Sequence, residues 1–490
     1  MGGGRRGGLP AHRLHPWPRR FPPGGGPDGG HPGRRPGASP GSGGWGMSSA
    51  VEAARTEEAR QGGPPLPPLV LAGCGTVGGA LLGLIREGRG SDDLVRSILV
   101  RDPARERPEP LPDPDGGRVV TRPSELPVEG GRVVVEALGG IRPALGLARR
   151  TLAGGGTFIT ANKSLVAEHG TELEALAAKS GGRLAFEAAV GGGMPVVRLL
   201  RDLPDAARVR RIEGILNGTS NYLLDELHAG RSWSEALQSA RALGYAEADP
   251  SRDVDGRDAA DKIRLLAWVA FGVPPAHVRV TRRGILPDPE ALVAEARALG
   301  GVVRLLARVD PPDGAGICRA RVEPCLVPRD SPWADVRGAD NRARVSTARA
   351  GTLSVSGPGA GGQATALSLL TDLGDEALRR AGGSGGLARP VFPVRTIVAP
   401  DPDSSRAEGH PAERWHLSLE GKIPGHPEIE VRPRLERILA RADIRLVDVD
   451  RDSGRLRTVL ETRHAPRVDL VGERLRALAL EPRLLRLAER

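Results

Sequence analysis

The chain has 490 residues, enough for two to four domains with cores of their own. Hydrophobic residues at 39% and charged residues at 27% are ordinary for a soluble globular protein, while aromatics at 3% leave the cores to aliphatic side chains and argue against nucleic-acid binding by stacking. Most of the +10 net charge belongs to one end: residues 1–46 hold seven Arg against one Asp, leaving about +4 for the rest, so no nucleic-acid partner is expected.

Residues 1–65 are Gly-, Pro- and Arg-rich and too poor in apolar surface to order themselves, so they read as a disordered tail. Met47 stands just before the composition becomes ordinary, and translation is expected to start there. The Arg-rich start lacks the apolar region of a secretory signal, and no apolar run reaches the roughly 18 residues that span a bilayer. Cys74, Cys318 and Cys325 form neither a CxxC pair nor a disulfide framework, which suits a reducing compartment. A cytoplasmic protein without a membrane partner is expected.

From Leu69 the pattern changes. Leu69–Ala72 is a short apolar run followed by Gly73-Cys74-Gly75-Thr76-Val77-Gly78 and a helical stretch to about Arg86. Strands follow at Ser97–Val100 and Arg132–Ala137, then a helix near Arg142–Ala153 and a strand ending in Thr160-Ala161-Asn162-Lys163. Strands alternating with helices at this spacing predict a parallel, doubly wound sheet. Leu184–Val190 reads as another strand. Helices are expected near Pro195–Asp202, Ser220–His228, Ser234–Leu243, Asp258–Gly272 and Pro289–Leu299, with strands at Val302–Arg308, Ile317–Leu326, Arg342–Thr347 and Thr352–Ser356.

The resulting division places a dinucleotide-binding domain at 66–185 plus 350–373, an inserted α/β domain at 186–349, a linker at 374–412 and a small module at 413–490. In that module strands are expected at Arg414–Glu420, Arg445–Asp450 and Arg457–Arg463, with helices at Arg434–Ala442 and Val468–Leu478.

Gly73, Gly75 and Gly78 follow a strand and open a helix, the context in which such glycines permit a tight turn, a close approach to pyrophosphate and helix-on-strand packing. After the second strand, Asp102 suits a ribose hydroxyl, whereas Arg101, Arg105 and Arg107 suit a 2′-phosphate. Three cations around one carboxylate favour NADP, with NAD the alternative. Only four of the 70 basic residues are lysines: Lys163, Lys179, Lys262 and Lys422. A position that keeps Lys in so Arg-rich a chain is enriched for proton transfer, which Arg does not perform. Lys163 ends a strand on the ligand side of the sheet. Asp258 and Lys262 lie at i and i+4 on one helix face, where the carboxylate can orient the ammonium towards a carbonyl under hydride attack. Glu247 is then free to receive a cationic amino group. Glu187 and the Gly-rich run to Met194 offer hard oxygens for a small cation, although a plain strand-to-helix turn explains them equally well.

Together these stretches resemble the homoserine dehydrogenase family: GCGTVG (73–78), VVVEALGG (133–140), TANKSLVAEHG (160–170), FEAAVGGGMPV (186–196), GILNGTSNYLLDEL (214–227), GYAEADPSRDVDGRDAADK (244–262) and GPGAGGQATA (357–366). The resemblance implies a Rossmann-type nucleotide-binding domain, an inserted α/β catalytic and dimerisation domain, and a C-terminal ferredoxin-like ACT-type module able to bind threonine. It implies NAD(P)-dependent interconversion of aspartate semialdehyde and homoserine by a homodimer or homotetramer. Lys262 matches the catalytic proton donor, Glu247 and Asp258 the substrate carboxylates, and Lys163 a catalytic lysine touching the cofactor. Gly244 and Gly359 match cofactor-contacting glycines. Glu187, with main-chain oxygens of Val190, Gly192 and Met194, matches the ligands of a structural sodium ion. The Lys422-Ile423-Pro424-Gly425 turn fits the ACT-type module, whereas 426–432 is unusually polar and Pro-broken.

Two rival readings fit the residues less well. An aspartate-semialdehyde dehydrogenase needs a nucleophilic cysteine, and none of the three lies in such a setting. A non-catalytic amino-acid sensor with the same tail module would have no reason to keep Glu247, Asp258 and both lysines.

Overall fold

The computed structural model describes residues 64–382, apart from 90–92, 108 and 112–117, and beyond them the backbone of four strands between 413 and 487. Strands β1 (Leu69–Ala72), β2 (Val95–Leu99), β3 (Arg118–Val120), β4 (Val133–Glu136), β5 (Thr157–Thr160) and β6 (Arg183–Ala185) form one sheet in the order β3-β2-β1-β4-β5-β6, every pair parallel. The chain direction of growth reverses between β1 and β4, which opens a crevice at their carboxyl ends. Three helices connect these strands: α1 (Thr76–Arg89), α2 (Arg142–Ala153) and α3 (Lys163–Ser180).

A second body follows. Its helices are α4 (Val196–Asp202), α5 (Gly218–His228), α6 (Trp233–Ala242), α7 (Ser251–Val254), α8 (Arg257–Phe271) and α9 (Pro289–Ala298). Its strands are β7 (Val209–Ile215), β8 (Val278–Arg282), β9 (Gly301–Val309), β10 (Cys318–Pro328), β11 (Asp340–Thr347) and β12 (Thr352–Pro358). They run β12-β11-β7-β9-β10 in antiparallel register, with β8 parallel to β10. Helix α10 (Gly362–Arg380) then packs on α1. Among the described residues no helix is long and apolar enough to cross a membrane.

All four residues of β1 are buried, as a sheet covered on both faces requires. Leu69 and Leu71 join Leu81, Leu82 and Ile85 of α1 and Leu369 and Leu373 of α10. Val70 and Ala72 point the other way, to Leu147 and Leu152 of α2 and Leu165 and Val166 of α3. This second cluster runs on without a break into α8 and β9, so one core serves both sheets.

Several sequence-based expectations need correction. The strand at Leu184–Val190 stops at Ala185, and Glu187–Ala189 is a 3-10 turn. The Glu187 N–H leaves the ladder to donate to Asp372 Oδ2 at 2.9 Å. β7 was not expected, because its run of Arg210, Arg211 and Glu213 hides the apolar positions, yet it lies between β11 and β9. β12 pairs with β11 and belongs to the second sheet, so the return towards β1 begins near Gly359 rather than at 350. Helix α10 continues through 374–380, so the expected linker 374–412 starts later than its composition suggests. Residues 1–63 and 383–412, the helices expected at 434–442 and 468–478, and the turn at 422–425 lie outside the described residues.

Near the C-terminus, β13 (Glu413–Glu420), β14 (Arg445–Asp452), β15 (Arg455–Thr462) and β16 (Glu481–Leu487) run β16-β13-β15-β14, all antiparallel. β16 joins the edge of β10 in parallel at Cys325↔Arg486 and Leu326↔Leu487.

The two bodies meet where α3 crosses α8. A Cβ on Gly170 would lie 2.5 Å from the Trp268 ring, so only glycine lets the helices approach this closely. The Trp268 ring stacks on Phe186 with centroids 5.9 Å apart and planes 9° from parallel. Gly-to-Ala exchange inside a helix ordinarily gains about 1 kcal/mol. Here the sign is reversed: Gly170→Ala is expected to lower stability by about 1–3 kcal/mol through overpacking. Urea unfolding measures it, and an unchanged or higher midpoint would contradict this packing.

Candidate functional site

The crevice at the switch between β1 and β4 is shaped by glycines. Gly73 has φ +101°, and a Cβ there would meet Ala137 O at 2.6 Å. A Cβ on Gly78 would strike Gly73 O, whereas Gly75 faces open space. The turn is thus closed against β4 on one side and open to a ligand on the other. Thr76 and Val77 begin α1 with no acidic residue in its first turn, and the helix terminus favours an anion. Gly362, at the start of α10, packs 2.9 Å from Thr76, again as a virtual Cβ distance, and braces the turn from behind. The residues present therefore fit a dinucleotide pyrophosphate.

The floor of the crevice is held by Glu136, fully buried at the end of β4. It accepts hydrogen bonds from Leu138 N at 2.8 Å and from the Thr160 hydroxyl. Burial raises its carboxyl above the ordinary value despite those donors. Asn162 donates to Gly140 O at 2.6 Å and caps α3 through Leu165 N. That cap sets the direction in which Lys163, the first residue of α3, leaves the sheet.

Opposite this edge lies a compact charge cluster. Asp258, 6% exposed, stands in the first turn of α8. Its Oδ1 lies 2.8 Å from Lys163 Nζ and its Oδ2 lies 2.9 Å from Lys262 Nζ. Lys262 Nζ also donates to Leu216 O at 2.7 Å. Asn217 Nδ2 donates both to Asp258 Oδ2 at 2.9 Å and to Asp253 Oδ1 at 2.7 Å, while Asn217 Oδ1 caps α5 through Ser220 N at 2.7 Å. Burial pushes the Asp258 carboxyl up, but the two ammonium groups outweigh it and hold the carboxyl far below the usual range. Burial pulls the Lys163 ammonium down, but the Asp258 charge overcomes it and raises the group above its ordinary value. Asp253 is raised by its own burial.

Comparison with known proteins bears directly on this arrangement. Residues 73–187 match the family model described as "Homoserine dehydrogenase, NAD binding domain", and residues 195–373 match that described as "Homoserine dehydrogenase". The homoserine dehydrogenase of Synechocystis sp. is 36% identical over 315 residues, covering 62% of this chain and 71% of that protein. The chain belongs to the homoserine dehydrogenase family. The crystal structure of a homoserine dehydrogenase from Thiobacillus denitrificans superposes with a TM-score of 0.70 at 30% identity, over 86% of this chain and 98% of that one. A hyperthermophilic archaeal homoserine dehydrogenase in complex with NADPH superposes at 0.52 and 27% identity, over 64% of this chain and 97% of that one. As a homoserine dehydrogenase, the chain is a nicotinamide-dependent oxidoreductase acting on a CH–OH group, interconverting L-aspartate 4-semialdehyde and L-homoserine.

The structure brings together Lys163, Asp258 and Lys262, which the sequence separates by up to 99 positions. Glu247 stands apart from them. It is exposed on the turn between α6 and α7 and has no hydrogen bond or ion pair among the described residues. That turn is braced by Thr219 Oγ1 donating to Tyr245 O at 2.6 Å and by the Tyr222 and Tyr245 rings, 5.1 Å apart. Gly244, in the same turn, has φ +73°. Gly359 packs so tightly on Asn341 that a Cβ would lie 2.1 Å from its amide.

Arg101 and Arg105 are exposed after β2. Arg107 is instead committed to the backbone oxygens of Asp102, Pro103 and Arg105, and Asp102 Oδ1 accepts from Ala104 N at 2.9 Å.

The oxygens around Glu187 are already engaged. Its carboxylate accepts from Val197 N at 3.0 Å and Arg198 N at 2.7 Å, Gly192 O accepts from Ser368 Oγ at 2.6 Å, and Met194 O accepts from Val196 N at 2.8 Å. The carbonyl of Val190 completes the expected set. Burial, with the Asp372 charge beside it, pushes Glu187 up to about 8. Among the described residues no group of three or more His, Cys, Asp or Glu side chains could hold a metal ion.

Reading residues in order missed Asn217. Its Asn-Gly setting before a helix signals a cap, but its second task joins residues 36 and 41 positions away, which no local pattern shows. Both of its amide donors are spent on carboxylates. Asn217→Asp would replace those donors with a third negative charge and raise the Asp258 carboxyl. The expected outcome is a fall in kcat/KM of about tenfold or more, with the acid limb of its pH profile moved to higher pH. A loss of activity at an unshifted profile would show that Asn217 serves only the helix cap.

Proposed function

We propose that Lys262 is the group that exchanges the proton with the substrate oxygen. The observation that carries this reading is the state of its ammonium. Two of its three donors are held by Leu216 O and Asp258 Oδ2, and the side chain is only 9% exposed, which leaves one N–H for a substrate oxygen. In the direction of reduction, Lys262 protonates the oxygen of the aldehyde as negative charge develops on it; in oxidation it receives that proton back. When bound, the nicotinamide supplies or accepts the hydride. Asp258 orients both lysines and favours the charged form of Lys163. Lys163, at the edge of the dinucleotide crevice, positions the cofactor's reactive end against the substrate. Glu247, which has no partner among the described residues, receives the substrate's amino group. Gly73, Gly75 and Gly78 admit the pyrophosphate, with Gly244 and Gly359 lining the cofactor's path.

NADP is the cofactor we assign. The guanidinium groups of Arg101 and Arg105 are exposed with no partner among the described residues, whereas Asp102 is engaged by its own turn. The NADPH complex of the archaeal relative points the same way. A structural sodium ion at Glu187, Val190, Gly192 and Met194 is also proposed, because a cation there would relieve a carboxyl pushed up first by burial and then by the Asp372 charge. Its competition with the existing hydrogen bonds makes the site a weak one. For 413–490, the central placement of the first and third strands, β13 and β15, supports a ferredoxin-like ACT-type module. Threonine is its candidate effector. A cytoplasmic homodimer or homotetramer built on the second sheet completes the proposal.

The assay is oxidation of NADPH with aspartate semialdehyde. Lys262→Ala is expected to lower kcat by about 10²–10⁴-fold while NADPH affinity is retained, and near-wild-type turnover would sink the assignment. Arg101→Ala should raise KM for NADPH without changing KM for NADH; equal effects on both would remove the 2′-phosphate role. For the ion, sodium chloride should raise Tm above that in equimolar choline chloride, by the linkage of ligand binding to folding. The difference should vanish in Glu187→Gln, and a Tm blind to the cation would rule the site out.

A further inference from the structure

We infer that the chain carries a second anion site, a groove of about 640 Å³ walled by α3, α8 and β8 and suited to a small phosphate-bearing polyanion. Five guanidinium groups line it: Arg142, Arg252, Arg257, Arg264 and Arg282.

The acids nearby are too few to neutralise them. Asp261 serves two of the arginines, with Arg252 Nη2 at 2.8 Å and Arg264 Nη1 at 3.1 Å. Asp255 serves two more, Arg257 Nε at 2.5 Å and Arg282 Nη1 at 3.0 Å. Arg142 is exposed and has no hydrogen bond or ion pair among the described residues. Glu168, also on the wall, is not paired with any of them. Guanidinium groups crowded around a concave surface repel one another unless an anion enters, and their planar forks match phosphate oxygens in pairs. The backbone adds to the field. Arg142 is the first residue of α2, which has no side-chain cap, whereas the first N–H of α8 is taken by Asp255 Oδ1 at 2.9 Å and α3 is capped by Asn162. The volume suits a small metabolite.

The groove is separate from the reaction centre although the two share a helix. Its α8 lining falls at 257, 260, 261 and 264, one stripe of a helix that turns about 100° per residue. Asp258 and Lys262 occupy the neighbouring stripe, turned towards Leu216 and Asn217. No residue assigned above to substrate or cofactor lines the groove except by sequence adjacency. An occupant would therefore act on α8 from its other side, competing with Asp261 for Arg252, whose neighbour Asp253 is tied to Asn217.

Pyrophosphate is the probe, titrated by calorimetry into the full-length protein saturated with NADP+, so that the glycine crevice is already filled. Binding is expected, weakened about tenfold or more by Arg142→Glu and by Arg264→Gln, and falling with ionic strength. Because Arg142 is exposed and its side chain has no partner among the described residues, its replacement leaves the fold intact, which circular dichroism verifies. Failure of pyrophosphate to bind the NADP-saturated protein, or binding indifferent to both substitutions, overturns the proposal. The first result would assign any binding to the unsaturated protein to the dinucleotide crevice instead.

Discussion

The arrangement hinges on one buried carboxylate. Asp258 lies almost out of solvent, where an unpaired charge would cost several kcal/mol, and it is tolerated because an ammonium group meets each of its oxygens. The two ammonium groups come from different bodies of the molecule, Lys163 from the helix that follows β5 and Lys262 from the same helix as Asp258. The carboxylate is satisfied only when the dinucleotide-binding sheet and the second sheet are seated against each other. Packing and electrostatics thus impose the same requirement at one seam. Gly170 lets α3 lie close on α8, and the capping of α3 by Asn162 aims its first residue. A shift of either helix by an ångström would break charge-assisted contacts near 2.8 Å.

The parts of this site that could be read from the sequence are those whose information is local. The glycines at 73, 75 and 78 report a turn between adjacent elements, and their spacing carries that turn wherever it occurs. Asp258 and Lys262 lie one helical turn apart, so helix geometry alone puts them side by side. The scarcity of lysine drew attention to Lys163 as well, but its pairing with Asp258 spans 95 positions and became visible only with the fold. Asn217 illustrates the opposite case. Its local signal is a helix cap, and nothing within a few residues discloses that the same amide bridges two carboxylates.

The fold divides along the same line. In the first sheet β1 and β4 are buried along their whole length because both faces are covered, and they are recognisable for that reason, whereas the three-residue edge strand β3 is absent from the sequence-based expectations. β7 carries Arg210, Arg211 and Glu213 in a central position of the second sheet, and its burial alternates irregularly. The charged side chains are accommodated by partners far along the chain, as when Arg211 reaches Asp310 at 2.8 Å. A strand of this kind is defined by what lies beside it, so its composition misleads. The turn at Glu187–Ala189 fails as a strand for a related reason: the pull of Asp372, 185 residues away, replaces ladder pairing.

Two buried carboxylates in this chain show how little burial alone decides. Glu187 and Asp258 are both nearly inaccessible, at 2% and 6%, and each accepts two or more short hydrogen bonds. Desolvation is the largest influence on both and acts in the same direction. The outcomes nevertheless diverge: Glu187 is pushed up to about 8, and Asp258 is held far below its ordinary value. The difference lies in the neighbours' charges. Glu187 faces the carboxylate of Asp372, with the Arg201 guanidinium too little to offset both burial and repulsion. Asp258 faces two ammonium groups in direct contact. One environment favours a neutral acid or an added cation, and the other fixes a permanent negative charge between two positive ones. Only the second holds a lysine ammonium in a fixed direction, which is why proton exchange is proposed for the Asp258 cluster rather than for Glu187.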